Sequence, residues 1–568
     1  MYTSRRATSP DGGTRHRARS LRIFLAVAAA VLLARMVQVQ VIEHGSWTRA
    51  AAAVQERELE MSPRRGAIYD RDGTLLAFDV KATAIAIDSY NMTRPVELTK
   101  ILTEELKMPA AEVMKLIYRQ SYFTWIERQA SLETAKRIEE RAKEAGAYGL
   151  IFLDAWKRHY PQGRLASNVI GFVGADGEGL EGLELQYDKV LRGIPSIVHV
   201  VQGADGRTYQ SRVVEDGEPG QDLRLTLDAD LQLLCEEEIA KCAVEHNALG
   251  GIVIALDPNT GEVLAMAQDK TYDLNSFGKS TLAQRKNLAV TFMFEPGSIF
   301  KTVAGLSALE SGVVTPNDTL SGNDGINVAG HTMHNAGNVS YGTVTFSKVI
   351  EQSINTGMIA VALKLEKERF HRTLSSLGFG TLTGIELPGE AKGILRPAEQ
   401  WTTLDLASAS IGQSVAVTGI QLIRGLSVIA NGGFLVSPHL VQPTETKAAH
   451  REAASFPRVV DASACDTMRS MMIGVIAKGT GFNAIIPGLT LAGKTGTAQK
   501  AVAGQGYVDG KYTSLFACFV PGDKPEVVFL VVLDEAMPYG GGATAAPVFH
   551  DVMLRWKNTG HFVPPSER

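Results

Sequence analysis

The chain has 568 residues, 45% of them hydrophobic and 21% charged, with a formal net charge of −4. This length exceeds one ordinary core and predicts two or three domains, while the composition excludes wholesale disorder. Residues 1–22 hold six arginines and one acid, so the rest of the chain is clearly acidic, which excludes a nucleic-acid-binding body. The four cysteines are too few for a disulfide framework. Cys235 and Cys242 stand two turns apart on a predicted helix, roughly 10 Å by helix rise and too far to bridge.

Residues 1–20 are basic and polar and read as a disordered cytoplasmic tail. Residues 23–34 are wholly apolar, and the hydrophobic character resumes beyond Arg35 to give about 20 residues, enough to span a bilayer. Arg35 can snorkel to the interface. The segment 21–42 reads as an uncleaved signal-anchor, with a cleaved signal peptide and a soluble core helix as the alternatives, and the arginines before it place the N-terminus inside and the body outside. Residues 46–60 read as a helix leaving the membrane. Residues 64–79 read as a β-hairpin around Asp70-Arg71-Asp72-Gly73, followed by a separate strand at 80–87. Residues 94–146 are mostly helical, interrupted by a strand-like stretch at 123–126, and a short strand follows at 149–153.

Gly177-Glu178-Gly179-Leu180-Glu181-Gly182 matches the dinucleotide signature, but Asp176, Glu178 and Glu181 put negative charge where phosphates would sit, so it reads as a structural turn. Residues 223–227 alternate as a strand, and Asp228 is a helix N-cap for the stretch to 245. Strands at 251–256 and 262–267 flank a D-P-N-T-G turn. Residues 340–440 are mainly helical. Three apolar strands, at 490–497, 514–520 and 527–533, precede a last helix at 547–557. The body from about residue 240 is therefore α+β: a five-stranded antiparallel sheet, two strands before and three after an all-helical insertion.

Three short motifs carry the chemistry. In Glu295-Pro-Gly-Ser298-Ile-Phe-Lys301, a Pro-Gly stop opens a helix on which Ser298 and Lys301, three apart, share a face. A serine hydroxyl needs a neighbouring base, and a lysine of depressed pKa can serve. Ser353-Ile354-Asn355, in a connection between helices, adds a hydroxyl and an amide. Lys494-Thr495-Gly496-Thr497, on the first late strand, adds a cation and two hydroxyls, with Gly496 admitting a close backbone approach. Each motif alone is weak; their order on helix, inter-helix loop and strand is the set known from penicillin-binding proteins and class A β-lactamases.

On these motifs the chain resembles a class B penicillin-binding protein, most like the division-specific septal peptidoglycan transpeptidases. The likeness covers nearly the whole chain. It includes R-M-V-Q-V-Q at 35–40, R-G-A-I-Y-D-R-D-G-T-L-L-A at 65–77, R-H-Y-P at 158–161, G-L-E-G-L-E at 179–184, L-A-G-K-T-G-T-A-Q-K at 491–500 and G-G-A-T-A-A-P-V-F at 541–549. The stretch 507–521 leans toward the septal branch. The run 411–414 and Ile354 depart from the usual pattern.

The resemblance implies a tail at 1–20, an anchor at 21–42, an N-terminal dimerisation or pedestal domain at 60–225 and a transpeptidase domain at 240–560. It implies that Ser298 attacks the carbonyl between two terminal D-alanines of a stem peptide and that a neighbouring stem's amine takes the acyl group. Lys301 is then the base, lowered by desolvation and by Lys494, and Ser353 relays the proton. Asn355 holds the donor amide, Thr495 and Thr497 bind its carboxylate beside Gly496, and the N–H groups of Ser298 and Thr497 form the oxyanion hole. No cofactor or metal is implied. His331 and His334 have no third ligand beside them and read as loop residues. Expected partners are peptidoglycan stem peptides, β-lactams, the membrane, a polytopic glycosyltransferase and other division proteins. An elongation-type transpeptidase, a D-alanine carboxypeptidase and a penicillin sensor are the rival readings.

Overall fold

The computed structural model describes residues 12–47, 56–202, 208–443, 455–502, 506–560 and 562. Contacts divide the chain into two compact units: Met1–Pro63 with Lys81–Ala155 and Ile194–Glu218, and Arg64–Val80 with Trp156–Gly193 and Pro219–Arg568.

In the first unit an α-helix, Gly12–Val37, continues as a π-helical turn, Gln38–Ile42. The stretch His16–Ile42 is long and apolar enough to cross a membrane and has no buried residue in its most apolar window. Residues 12–20, read as disordered from the sequence, are helical here, because arginines are good helix formers and a helix extends cheaply once nucleated; residues 1–11 lie outside the described residues. The helix expected over 46–60 is also corrected. Its middle lies outside the described residues, and Glu56–Met61 is a strand, paired antiparallel with Ser196–Gln202. That strand pairs in turn with Thr208–Glu215, so a three-stranded ladder overrides the helix propensity of E-R-E-L-E-M. The rest of the unit packs helices Pro95–Leu106, Ala110–Ile117 and Leu132–Glu144 against the strand Thr124–Ser131. Its core contains Ile85, Leu98, Ile101, Val113, Ile126 and Ile138.

The second unit holds the hairpin read at 64–79: Ile68 pairs with Ala77 and Tyr69 with Leu75. Its second arm is one continuous strand, Leu75–Ile87, where the sequence suggested two elements. Two short helices, Gly182–Gln186 and Asp188–Leu191, follow the glycine signature. Between these segments lies a buried ion cluster. Glu184, fully buried, accepts from Arg65 Nε at 2.6 Å and from Arg158 Nε at 2.7 Å. Asp188 accepts from Arg65 at 2.6 Å, and Asp79 from Arg158 at 3.2 Å. The glycine signature wraps this cluster: the Gly177 carbonyl faces Arg65, and Gly179 N–H donates to Asp188. Its groups are spent on a buried arginine and its carboxylate.

The main sheet has the expected five strands, in the order Val263–Gln268, Gly250–Leu256, Val527–Asp534, Gly506–Val520, Ala492–Val502, all antiparallel. Both central strands, Gly250–Leu256 and Val527–Asp534, are almost continuously apolar, as a sheet covered on two faces requires. One face meets helices Ala229–Glu245 and Ala546–Thr559; Asp228 caps the former by accepting from Leu231 N–H. On the other face lie the helical elements, centred on Phe300–Glu310. Every residue from Phe300 to Ala308 in that helix is buried. The helix is enclosed on all sides rather than along one face. Gly305 permits this, since a Cβ there would lie 2.7 Å from Met468 and 3.1 Å from Phe346.

Candidate active site

Ser298 sits in a 3-10 turn, Gly297–Ile299, that feeds directly into the buried helix. Gly297 adopts φ +51, and a Cβ there would stand 2.7 Å from the Thr497 carbonyl oxygen, so the turn presses onto the edge strand Ala492–Val502. Gly496 makes the matching allowance: a Cβ on it would meet Ile299 at 3.0 Å and Leu515 at 3.1 Å. The close approach that this glycine admits is thus made by the serine turn. As the sheet's edge, the strand also leaves alternate backbone groups unpaired by the ladder.

Ser353 closes the connection after helix Phe346–Glu351, and Asn355 opens helix Asn355–Leu365. Ser353 holds φ +57, a left-handed conformation that a non-glycine residue keeps only where its surroundings impose it. Its hydroxyl is the meeting point of two amines. Lys301 Nζ reaches Ser353 Oγ at 3.1 Å and Lys494 Nζ reaches it at 2.9 Å. Lys301 also donates to the Ser353 carbonyl and to Asn355 Oδ1, both at 2.6 Å. Lys494 donates to the Thr495 carbonyl at 3.0 Å. The structure therefore gathers Lys301, Ser353, Asn355 and Lys494 into one network, with Ser298 and Thr497 adjoining it through Gly297. Among the described residues, none of the site's hydrogen bonds involves the Ser298 hydroxyl.

Both lysines are fully buried, and among the described residues neither makes an ion pair. Burial without a carboxylate disfavours the ammonium form. Burial, and then the charge of Lys494, holds Lys301 well below the ordinary lysine range. Burial alone brings Lys494 down to about 7. A neutral Lys301 has one lone pair and two hydrogens for its three contacts. The Ser353 hydroxyl can then donate to Lys301 while accepting from Lys494.

Several contributors lay outside the sequence reading. Thr480 Oγ1 is hydrogen-bonded to Thr495 Oγ1. The His334 carbonyl accepts from Asn355 Nδ2 at 2.8 Å, leaving the second amide hydrogen for another acceptor, while the His334 ring pairs with Asp324. The loop 411–414, which departs from the family pattern, braces the serine turn: Gly297 N–H donates to the Gly412 carbonyl at 3.0 Å, and a Cβ on Gly412 would lie 1.9 Å from the Gly297 oxygen. Glu295 accepts from Ser414 N–H at 2.8 Å and from the Tyr507 hydroxyl. Glu295 stood in plain view within E-P-G-S-I-F-K; Gly412 and Tyr507 lay in stretches compared with the family but given no part in the site, and nothing local pointed to Thr480.

Residues 251–554 match the family model of the penicillin binding protein transpeptidase domain, and residues 60–225 that of the penicillin-binding protein dimerisation domain. The chain belongs to the class B penicillin-binding proteins and is a serine-type peptidoglycan D,D-transpeptidase. It is 32% identical over 578 residues to penicillin-binding protein PbpB of Mycobacterium tuberculosis, covering 95% of this chain and 84% of that one. It is 29% identical to peptidoglycan D,D-transpeptidase FtsI of Escherichia coli, over 93% of this chain and 89% of that one. Among solved structures it is similar to penicillin-binding protein 3 of Mycobacterium tuberculosis complexed with aztreonam, with a TM-score of 0.68 and 28% identity over 90% of this chain and 99% of that one. The N-terminal apolar helix is consistent with a single-pass membrane anchor.

Proposed function

We propose that Ser298 is the nucleophile and that the enzyme cross-links stem peptides during septal wall synthesis. The observation that carries the assignment of the site is the convergence of two buried amines on one hydroxyl, Ser353 Oγ, beside the turn that presents Ser298. Ser298 Oγ attacks the carbonyl carbon of the penultimate D-alanine, and its proton passes to Lys301. The N–H groups of Ser298 and Thr497 stabilise the oxyanion, each donor of this kind being worth about 3–4 kcal/mol. As the C–N bond breaks, the proton travels from Lys301 through Ser353 Oγ to the leaving amine, and D-alanine departs. The amine of a second stem then attacks the ester, forming the new amide and returning the proton to Ser298.

Asn355, with one amide hydrogen uncommitted to His334, binds the donor backbone. Thr495 and Thr497, on one face of the edge strand, take the terminal carboxylate beside Gly496, with the positive field of Lys494 behind them. A β-lactam carries an equivalent carbonyl and acylates the same serine. The arginines preceding the apolar helix orient the N-terminus to the cytoplasm and the catalytic body outward. The septal assignment rests on the likeness of residues 507–521 to that branch, and it brings a polytopic glycosyltransferase and other division proteins as partners.

The test is mass spectrometry of the full chain in detergent after exposure to a labelled penicillin. A single adduct on the peptide carrying Ser298, abolished in Ser298→Ala, is expected; an adduct on any other residue overturns the mechanism. Depletion in cells then separates the branches: filaments support the septal role, and rounded cells support the elongation role.

A further inference from the structure

The Pro-Gly turn that carries Ser298 is held on one side by the loop 411–417. Phe294 and Val417 exchange both backbone hydrogen bonds at 2.9 Å, and Gly297 donates to Gly412. Between these two ties sits Glu295. Its Oε1 accepts from the N–H of Ser414, a residue at φ +65. Its carboxylate also accepts from the Tyr507 hydroxyl, at 3.0 Å to Oε1 and 3.2 Å to Oε2. Tyr507 comes from a different place. It pairs with Ala501 near the far end of the edge hairpin, beyond a register shift between Gln499 and Ala501. The hairpin's base is anchored separately: Lys500 bonds Asp534 and Glu535 at 2.8 Å, and Asp534 lies on the neighbouring strand of the sheet. Past that anchor the hairpin reaches the serine turn by one described side-chain bond, from Tyr507 to Glu295.

We propose that Glu295 and Tyr507 are a positioning pair that latches the far end of the edge hairpin to the serine turn and sets Ser298 against the Thr497 N–H for acylation. One carboxylate serves three elements: its own turn, the 411–417 loop through Ser414, and the hairpin through Tyr507. The two ends of the proposed oxyanion hole lie on two of these, Ser298 on the turn and Thr497 on the hairpin's edge strand. Nothing in the chemistry requires the carboxylate itself to touch substrate; its effect is on the relative placement of nucleophile and donor, where small displacements are costly. Burial pushes the Glu295 carboxyl above its ordinary range, and its two hydrogen bonds work against that shift.

This inference rests on Ser298 being the nucleophile. The test measures the second-order acylation constant of full-length protein in detergent with a fluorescent penicillin, alongside thermal melting. Tyr507→Phe removes only the hydroxyl and is expected to slow acylation about tenfold, the effect of one charge-assisted hydrogen bond, with melting unchanged. Glu295→Gln keeps an acceptor for both donors and should retain most of the rate; Glu295→Ala should lose about a hundredfold. Wild-type acylation rates in Tyr507→Phe, with wild-type protein labelled on Ser298, overturn the latch and leave the mechanism standing. Labelling of wild-type protein elsewhere overturns the mechanism itself. A loss of rate in Tyr507→Phe that tracks an equal loss of folded protein also overturns the latch, by making the residue merely structural.

Discussion

Lys494 is a buried amine with no carboxylate partner among the described residues, and its charge adds to the burial that depresses Lys301. An isolated buried ammonium is held only because the fold around it is strong enough to bear the cost. In the unfolded chain Lys494 titrates near 10.5, and in the fold at about 7. Between those values the unfolded chain binds more protons, so this lysine makes the protein gain stability as pH rises from about 7 toward 10.5 and lose it again as pH falls back toward 7. Lys494→Met should therefore melt higher than the parent at pH 7, with the difference shrinking toward pH 10. The same substitution removes one of the two causes that depress Lys301. Its residual acylation should be strongly reduced, and the rising limb of its pH–rate profile should move to higher pH. A limb that stays in place, measured with a fluorescent penicillin across pH 5–10, would show that Lys494 does not tune the base.

The serine turn is an element whose shape comes from what it touches. Gly297 at φ +51 and Gly412 at φ +82 pack backbone on backbone, the second passing so close to the first that no side chain fits between them. The Glu295–Ser414 bond and the Phe294–Val417 pair fix the approach, and the helix behind is buried along its length. Gly412→Ala adds one methyl group 1.9 Å from the Gly297 oxygen and imposes a conformation that L residues disfavour. The turn must move, and acylation should fall by about a hundredfold, the loss that a displacement near 1 Å brings. Single-turnover acylation kinetics read this directly; a rate within threefold of the parent would mean that the loop does not brace Ser298.

At the scale of the whole molecule, the segments Arg64–Val80 and Trp156–Gly193 belong by contact to the unit that holds the site, although the dimerisation-domain match spans residues 60–225. They are tied to it by polar contacts of high sequence separation. Asp70 accepts from Ala229 N–H, Asn168 donates to the Gln284 carbonyl, and Asn275 bonds Tyr160 through both backbone groups. At their centre Glu184 neutralises Arg65 and Arg158. Glu184→Gln removes the fully buried carboxylate between the two guanidiniums, leaving Arg65 to Asp188 and Arg158 to Asp79, and should destabilise this unit by about 3–5 kcal/mol, the cost of breaking a buried pair. A lowered urea midpoint is the expected result, with acylation of the folded fraction unchanged. An unchanged midpoint would show that Asp79 and Asp188 suffice to hold both arginines.

The sequence by itself determined an N-terminal apolar run long enough to span a membrane, the five strands of the main sheet, two before and three after a helical insertion, and the three motifs. Each is a local pattern: hydrophobic length, alternation broken by turn residues, or a short spacing of reactive groups. Element type and length escaped it wherever pairing decided them, as in the strand Glu56–Met61, read as helix, and the unbroken Leu75–Ile87. E-P-G-S-I-F-K showed where a nucleophile and a lysine stand on one helix. Only the tertiary structure decided where that lysine points: across to Ser353 and Asn355, with Lys494 bonded to the same Ser353 hydroxyl. Only the tertiary structure, too, revealed Thr480 and gave Gly412 and Tyr507 their places around the site. The reason is physical. A spacing along the chain specifies which groups one helix can present, but the burial that lowers an amine's pKa, and the backbone contacts that aim a hydroxyl, are made by residues 50 to 200 positions away, and no local pattern encodes those contacts.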